Sequence, residues 1–349
     1  MELKKIHVGT VSYAGEAMDE VEEYIRQGFS NSAPGAPSTP SIPATTVQGS
    51  AQPASTAVTR TRREIGSRVR DVVLALSLCH NVTPTTAPSL ESPNVIETSY
   101  QASSPDEIAI VRWTESVGLR LIHRDRKSIK IQSVATGNVA VRVKILEVFP
   151  FTSEGKRMGI VVQFEGEGEG KQSKQDLLDS GSTDTGGDIW FFQKGADTVM
   201  SSIVGANDWL DEECGNMARE GLRTLVVGRK RLSLDKYREF SESYKAASLL
   251  LHNRDKEMQK VVDEYLERDL ELLGVTGVED KLQRDVKPSL ELLRNAGIKI
   301  WMLTGDKVET ARCVAVSAKL VARGQYIHTV AKRTYYTAPF SNSPLFFFF

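Results

Sequence analysis

Apolar and polar residues alternate in short runs through the middle of the chain. From Leu119 onward the sequence contains "LRLIH", "SIKIQSV", "NVAVRVKILEVF", "RMGIVVQF", "DIWFFQ" and "RTLVVGRKRL". Period-two alternation marks half-buried strands, and strands in series predict an antiparallel sheet flanked by helices. Near the start, "KIHVGTVSY" alternates as one further strand, and an acidic stretch from Glu16 to Gln27 has helical character. In "REIGSRVRDVVLALSLCHNV", Val69, Val72, Val73, Leu76 and Leu78 share roughly one face, as in a buried helix. The stretch "SPDEIAIVRWTESVG" predicts another helix. Ser104 stands at its N-cap position, Pro105 at its first position, and Asp106 and Glu107 in its first turn. From Ser233 to Arg268 the chain is heavily charged and helical in pattern.

The pattern then changes. "LELLGVTGVED" is strand-like, "DVKPSLELLRNAG" helical and ended by Gly297, "IKIWML" strand-like and "KVETARCVAVSAKLV" helical. That β-α-β-α order predicts a parallel, doubly wound unit. Two polar segments interrupt the elements, one at about 29–60, rich in Pro, Ser, Thr and Ala, and one at about 165–188, rich in Gly and charge. Neither carries enough large apolar side chains to offset its ordering entropy, so both are expected to be disordered inserts.

Composition narrows the function classes. With 349 residues, a length prior gives about two domains. A hydrophobic fraction of 40% supplies a sizeable core, and a formal net charge of -1 gives no global basic field, so no nucleic-acid partner is expected. Cys79, Cys214 and Cys313 form no C-x-x-C pair, and the histidines show no ligand spacing. A disulfide framework and a zinc site are therefore not expected, and a reducing compartment fits. No run approaches the roughly 18 apolar residues of a spanning helix. The charged N-terminus is no signal peptide, and the tail "SNSPLFFFF" reads as a broken end without a periodic partner.

Several short motifs carry candidate chemistry, each beside an ordinary structural reading. Thr304, Gly305 and Asp306 end a strand where ligands bind in open parallel sheets, with a hydroxyl, a close-approach glycine, a carboxylate and the following helix's amides. The same residues suit a plain strand-to-helix turn. "GVEDKLQ" places an acidic pair at the same edge, or is a polar loop. In "FPFTSEGKRM", Phe151 can stack on a base and Lys156 can neutralise phosphate, or the stretch is a core Phe beside a basic turn. In "WFFQKGAD", Lys194 can reach a nucleotide, and Arg223 of "REGLRTLVVG" can bridge ribose and phosphate oxygens. Either residue is also an ordinary charge at a strand end. "EGEGEGKQS" is not a phosphate loop, because Gly166 and Gly170 are one residue too close and Gln172 replaces the required Ser or Thr.

In order, "SPDE", "FTSEGKRM", "QKGAD", "LRTL", "GVEDKLQ" and "MLTGDKVETA" closely resemble the phospholipid-translocating P-type ATPases, the type IV flippases. "YQASSPDEIAIV" and "GVEDKLQ" resemble that lipid group rather than the cation pumps, and "ELKKIHVGTVSY" looks like the subclass that works without an accessory subunit. The resemblance covers residues 1–25 and 62–331, apart from the two inserts. It implies an α+β antiparallel-sheet nucleotide-binding domain, followed by part of a Rossmann-like, haloacid dehalogenase-like phosphorylation domain. The implied boundaries are 1–15 for the start of the phosphorylation domain or hinge, 16–267 for the nucleotide-binding domain, 268–325 for a partial phosphorylation domain, and 326–349 for an aberrant or disordered tail.

By that resemblance the ligands are ATP and Mg²⁺. Glu107 lies near adenine, Phe151 stacks on it, Lys194 lines the base and sugar pocket, and Lys156 stands at its mouth. Arg223 meets the phosphates, and Thr304, Gly305 and Asp306 line the phosphorylation side of the cleft. The implied parent moves phospholipid through a membrane domain, driven by an aspartyl-phosphate, with this part on the cytosolic face of Golgi or endosomal membranes. Neither the family's D-K-T-G-T nor its G-D-G-x-N-D occurs in these residues. The chain is accordingly expected to be a fragment without a catalytic residue of its own, its partner being the remainder of the parent. Two other readings stay open: a soluble haloacid dehalogenase-type phosphatase, which needs a D-x-D-x-T motif not found here, and a non-catalytic nucleotide-binding or interaction module.

Overall fold

The computed structural model describes residues 1–30, 55–88, 96–165, 187–321, 324–326, 328 and 345–348. The two expected inserts fall mostly on 31–54 and 166–186, outside the described residues, as does most of the tail.

The elements run β1 (Glu2–Val8), β2 (Val11–Ala14), α1 (Met18–Ser30), α2 (Ser55–Leu78), β3 (Thr83–Pro88), β4 (Ile96–Gln101), α3 (Pro105–Ser116), β5 (Leu119–Arg124), β6 (Ser128–Ser133), β7 (Val139–Phe149) and β8 (Arg157–Phe164). There follow β9 (Ile189–Gly195), α4 (Asp197–Met200), α5 (Leu210–Arg219), β10 (Arg223–Leu232), α6 (Leu234–Ser248), α7 (Arg254–Tyr265), β11 (Glu271–Glu279), α8 (Val286–Asn295), β12 (Trp301–Thr304), α9 (Val308–Ser317) and β13 (Leu345–Phe348). The six strands read from alternation, β5 to β10, all form. The stretch expected as one N-terminal strand is a hairpin, β1 and β2, because the chain turns at Gly9 and Thr10 between the paired Val8 and Val11. Helices α1 and α2 also extend into the flanks of the first expected insert.

Nine strands form one sheet in the order β2-β1-β11-β10-β9-β8-β7-β6-β5. From β5 to β11 it is a meander in which every pairing is antiparallel, and the N-terminal hairpin is added along β11. This corrects the parallel unit read from sequence. β11 was expected to open it, yet β11 lies between β1 and β10, antiparallel to both. The run Leu273–Val278 is buried throughout. Such a run suits any strand covered on both faces, so it does not by itself specify parallel neighbours.

Both faces of the sheet are covered. Val69, Val72, Val73 and Leu76 of α2 and Ile110 of α3 pack with Ile160, Val162, Trp190 and Phe192. On the other face, Cys214 and Met217 of α5, Phe240 of α6 and Val262 of α7 pack with Val161, Ile189 and Phe191. Alternate residues of β9 thus enter opposite cores, as the pleat requires. Gln193 follows the odd positions toward α6 and α7, and Lys194 follows the even ones toward α2 and α3.

The segment after β11 has a small core of its own, with Ala315, Ala318, Leu320 and Val321 against Leu290, Ile300 and Met302. Leu292, Ile298, Trp301 and Leu303 there remain exposed. The tail was expected to lack a partner, yet Leu345–Phe348 pairs antiparallel with β12, supplying hydrogen-bond partners along an edge that is otherwise unpaired among the described residues.

Candidate functional site

One end of the sheet gathers most of the singled-out residues. There β7 ends at Phe149, β8 begins at Arg157, β9 ends at Gly195 and β10 begins at Arg223. Arg157 pairs with Gly195, Gly195 with Val226, and Arg223 with Val278. Helix α3 points its first turn at this edge. Ser104 has the extended backbone of an N-cap and Pro105 follows it, but the Ser104 side chain makes no capping hydrogen bond. The acidic residues of that turn reach into the sheet instead.

Glu107 and Lys194 form an ion pair beneath the edge. The Lys194 ammonium lies 2.9 Å from Glu107 Oε1, and the two residues are only 5% and 9% exposed. The pair is out of line for a hydrogen bond, so the buried Lys194 Nζ has no hydrogen-bond partner among the described residues. Glu107 Oε2 accepts the Asn81 backbone N–H at 3.2 Å, and Asn81 Oδ1 accepts Arg124 Nη2 at 2.9 Å. Burial shapes the neighbours: it lowers the pKa of His80 well below the ordinary value, with Arg124 and Lys194 adding, and pushes the Cys79 thiol up to about 11.

The Pro150–Lys156 loop stands beside this pair. Gly155 N–H donates to Thr152 Oγ1 at 3.0 Å, and Lys156 N–H to the Thr152 carbonyl at 2.8 Å. Lys156 adopts φ +49°, unusual for a non-glycine residue. Its carbonyl accepts the Ala196 N–H at 3.0 Å, which fastens the loop to the end of β9. A side chain at Gly195 would put Cβ 2.9 Å from the Lys156 carbonyl oxygen and 2.8 Å from Arg157 Cβ. The approach of the loop therefore requires a glycine here. Phe151, at the loop's tip, is 62% exposed and presents its ring to solvent.

Arg223 joins the sheet to the segment beyond it. Its Nη2 donates to Asp306 Oδ2 at 3.4 Å, its Nε lies 3.1 Å from Asp306 Oδ1, and Asp280 and Asp106 lie 3.3 and 3.7 Å away. Burial raises the pKa of Asp106, the carboxylates of Asp280 and Asp306 add to that, and Arg223 opposes it. Lys307 pairs with Asp197, a second tie between the same two regions. Close approach at Gly221 permits this docking: φ is +85°, and a Cβ there would sit 2.6 Å from Cys313 Sγ of α9. Thr304 Oγ1 accepts the Asp306 N–H at 3.1 Å, closing the turn, and the space beside Gly305 is open.

The structure therefore brings Glu107 together with Lys194, and Arg223 together with Asp306. It ties Lys156 to the end of β9 and leaves Phe151 free. A cleft of about 530 Å³ lined by Asn81, Arg124 and Glu147, and another of about 570 Å³ lined by Asp188 and Arg231, contain none of the eight predicted residues. The candidate site is an open sheet edge. Sequence reasoning missed Asp106, Asp197 and Lys307 as site residues, although each lies inside a quoted motif, and it placed the acidic pair of "GVEDKLQ", which includes Asp280, at this edge without naming its partner Arg223. No group of three His, Cys, Asp or Glu among the described residues is arranged to hold a metal. The three carboxylates at this end, Asp106, Asp280 and Asp306, are taken up by Arg223, so these residues do not fit a resident Mg²⁺.

The arrangement supplies a buried cation with unused donors and a free aromatic face, which suit a purine, and a guanidinium further along the edge. Comparison with known proteins points the same way. Residues 68–285 match the family model described as "P-type ATPase, cytoplasmic domain N". The chain is 53% identical over 334 residues to "Phospholipid-transporting ATPase NEO1" of Saccharomyces cerevisiae, an alignment covering 96% of this chain and 25% of the yeast protein. It is 48% identical over 331 residues to "Phospholipid-transporting ATPase neo1" of Schizosaccharomyces pombe, covering 95% and 26%. It is 47% identical over 342 residues to the human "Probable phospholipid-transporting ATPase IIB", covering 94% and 27%. The chain spans about a quarter of the length of these relatives. No helix among the described residues is long and apolar enough to cross a membrane. With the antiparallel sheet, the ordered motifs and the match over 68–285 together, the chain belongs to the P-type ATPases and carries their cytoplasmic domain N.

Proposed function

We propose that this chain is the ATP-binding cytosolic part of an ATP-driven phospholipid flippase. The observation that carries the reading is the buried Lys194 ammonium beside Glu107, with hydrogen-bonding capacity unused, on the strand whose end is bonded to the loop that carries the exposed Phe151 ring. Adenine stacks on Phe151, and its ring nitrogens accept from Lys194. Glu107 holds the ammonium in place and accepts from the exocyclic amine. Lys156 stands at the mouth, and Arg223 turns from its carboxylates to the phosphates.

The segment 268–325, apart from β11, is part of a Rossmann-like phosphorylation domain. Its separate small core and its exposed Leu292, Ile298, Trp301 and Leu303 support this, since such a face is what a completed domain would cover. In the parent, an acceptor aspartate outside these residues attacks the γ-phosphate in line, and Thr304, Gly305 and Asp306 border that transfer. Mg²⁺ arrives with the nucleotide and is held elsewhere in the parent. In this reading the phosphorylation cycle moves phospholipid toward the cytosolic leaflet of Golgi or endosomal membranes; the names of the relatives support phospholipid transport alone.

Calorimetric titration with ATP, and with adenosine as competitor, tests the base-binding half. Stacking on an aromatic ring contributes about 1–3 kcal/mol per base. The Phe151→Ala variant is therefore expected to bind ATP at least fivefold more weakly, by the lower bound of that range, with unchanged thermal stability because the ring is exposed. Equal ATP affinity in both proteins would count against the pocket.

A further inference from the structure

Behind the candidate site, on the opposite face of the sheet, lies a buried carboxylate that none of the proposed chemistry uses. Glu267, just beyond α7, is 8% exposed. Its Oε1 accepts Arg157 Nε at 2.8 Å, and its Oε2 accepts Arg157 Nη2 at 2.6 Å, a two-point fork. Gln193 Nε2 also donates to Oε1. Asp263 Oδ1 accepts a further bond from Arg157 Nη2 at 3.2 Å. The remaining arm of the guanidinium, Nη1, donates at 3.1 Å to the carbonyl of Gly155, inside the Pro150–Lys156 loop.

The placement follows from strand geometry. Gln193 and Lys194 are neighbours on β9 and face opposite cores. Arg157 is the neighbour of Lys156, whose carbonyl is bonded to Ala196. One carboxylate thus grips the backs of two adjacent strands directly beneath the residues that face the nucleotide. Planar fork pairing fixes orientation as well as distance. The fork adds to the Thr152 and Ala196 backbone bonds that hold Lys156 at its sparsely populated positive φ.

We propose that Glu267 is a positioning residue for the nucleotide: by fixing the Arg157 fork it holds the Pro150–Lys156 loop, and with it Phe151 and Lys156, in register with Lys194. This rests on the nucleotide reading given above. A loop ordered in advance does not have to be ordered when ATP binds, so the carboxylate acts on affinity without touching the ligand.

Two variants of the full chain test this, Glu267→Gln, which keeps the shape but loses one fork oxygen, and Arg157→Lys, which keeps the charge but cannot form the fork. Amide hydrogen exchange is read alongside ATP titration. In both variants the Gly155 and Lys156 amides are expected to exchange about tenfold faster and ATP to bind about tenfold more weakly, while the amides of β9 and β10 keep wild-type protection. That locality is what a general loss of stability would not produce. Wild-type loop exchange and affinity in folded Glu267→Gln would overturn the proposal. So would a loss of protection spread across the whole sheet, with affinity falling only in step with the folded fraction. A wild-type chain that binds no ATP would overturn the nucleotide reading itself, and with it the purpose given to the clamp, even if the loop still loosens in the variants.

Discussion

Replacing Glu107 with Leu is expected to lower the unfolding free energy by about 3 kcal/mol, at the low end of what breaking a buried ion pair costs. Leu is close to Glu in volume, so little of this comes from a cavity. It comes from the Lys194 ammonium, which is 5% exposed, lies 2.9 Å from Glu107 and has no hydrogen-bond partner in reserve. The Asn81 N–H, which donates to Glu107 at 3.2 Å, is stranded by the same change. Adding Lys194→Met should return most of the loss, because replacing both members of a buried pair with apolar groups is close to neutral. Denaturant unfolding of the two single variants and the double variant makes a cycle whose coupling measures the pair. A Glu107→Leu protein within about 0.5 kcal/mol of wild type, the range of ordinary surface changes, would mean that the pair is solvated.

The second large effect concerns the ligand. Lys194→Met is expected to weaken ATP binding about thirtyfold, the loss of a hydrogen bond from a charged donor worth about 2 kcal/mol. Stability would fall too, since Glu107 is then left buried. The Glu107→Leu/Lys194→Met protein separates the two consequences: it should fold nearly as well as wild type and still bind ATP poorly. Arg223 is expected to matter less in this chain. It is about a third exposed and already shared by Asp306, Asp280 and Asp106. Whatever it gains from a phosphate is offset by the pairs it gives up. A calorimetric titration in which the double variant binds ATP like wild type would remove Lys194 from the site.

The sheet was legible where the pleat imposes its period on the residues. In β5, β6 and β7 one side of the strand is polar and the alternation shows, whereas β8 and β9, covered on both faces, stand out as short apolar runs with polar ends. It failed for β3, whose "TPTTAP" has no apolar face to alternate, and for the hairpin at Gly9, where a two-residue turn lies inside an unbroken pattern. It misdirected for β11, because a strand buried on both faces reads alike in a parallel and in an antiparallel sheet. The site was legible as an order of short motifs, each fixed by local backbone needs. Its wiring was not: Arg157 and Glu267 are 110 residues apart, and Arg223 and Asp306 are 83 apart. Gly195 shows the difference. Its motif marks it as special, but only the approach of the Lys156 carbonyl explains why a side chain is excluded.

Photolabelling with 8-azido-ATP, followed by mapping of the modified peptides, shows most directly where the base lies. The expected result is ATP-competed label in Phe149–Met158 or Trp190–Asp197, the two segments that meet at Gly195. Label confined to the cleft around Arg124 and Glu147, or label that excess ATP does not displace, would contradict a purine held between Phe151 and Lys194.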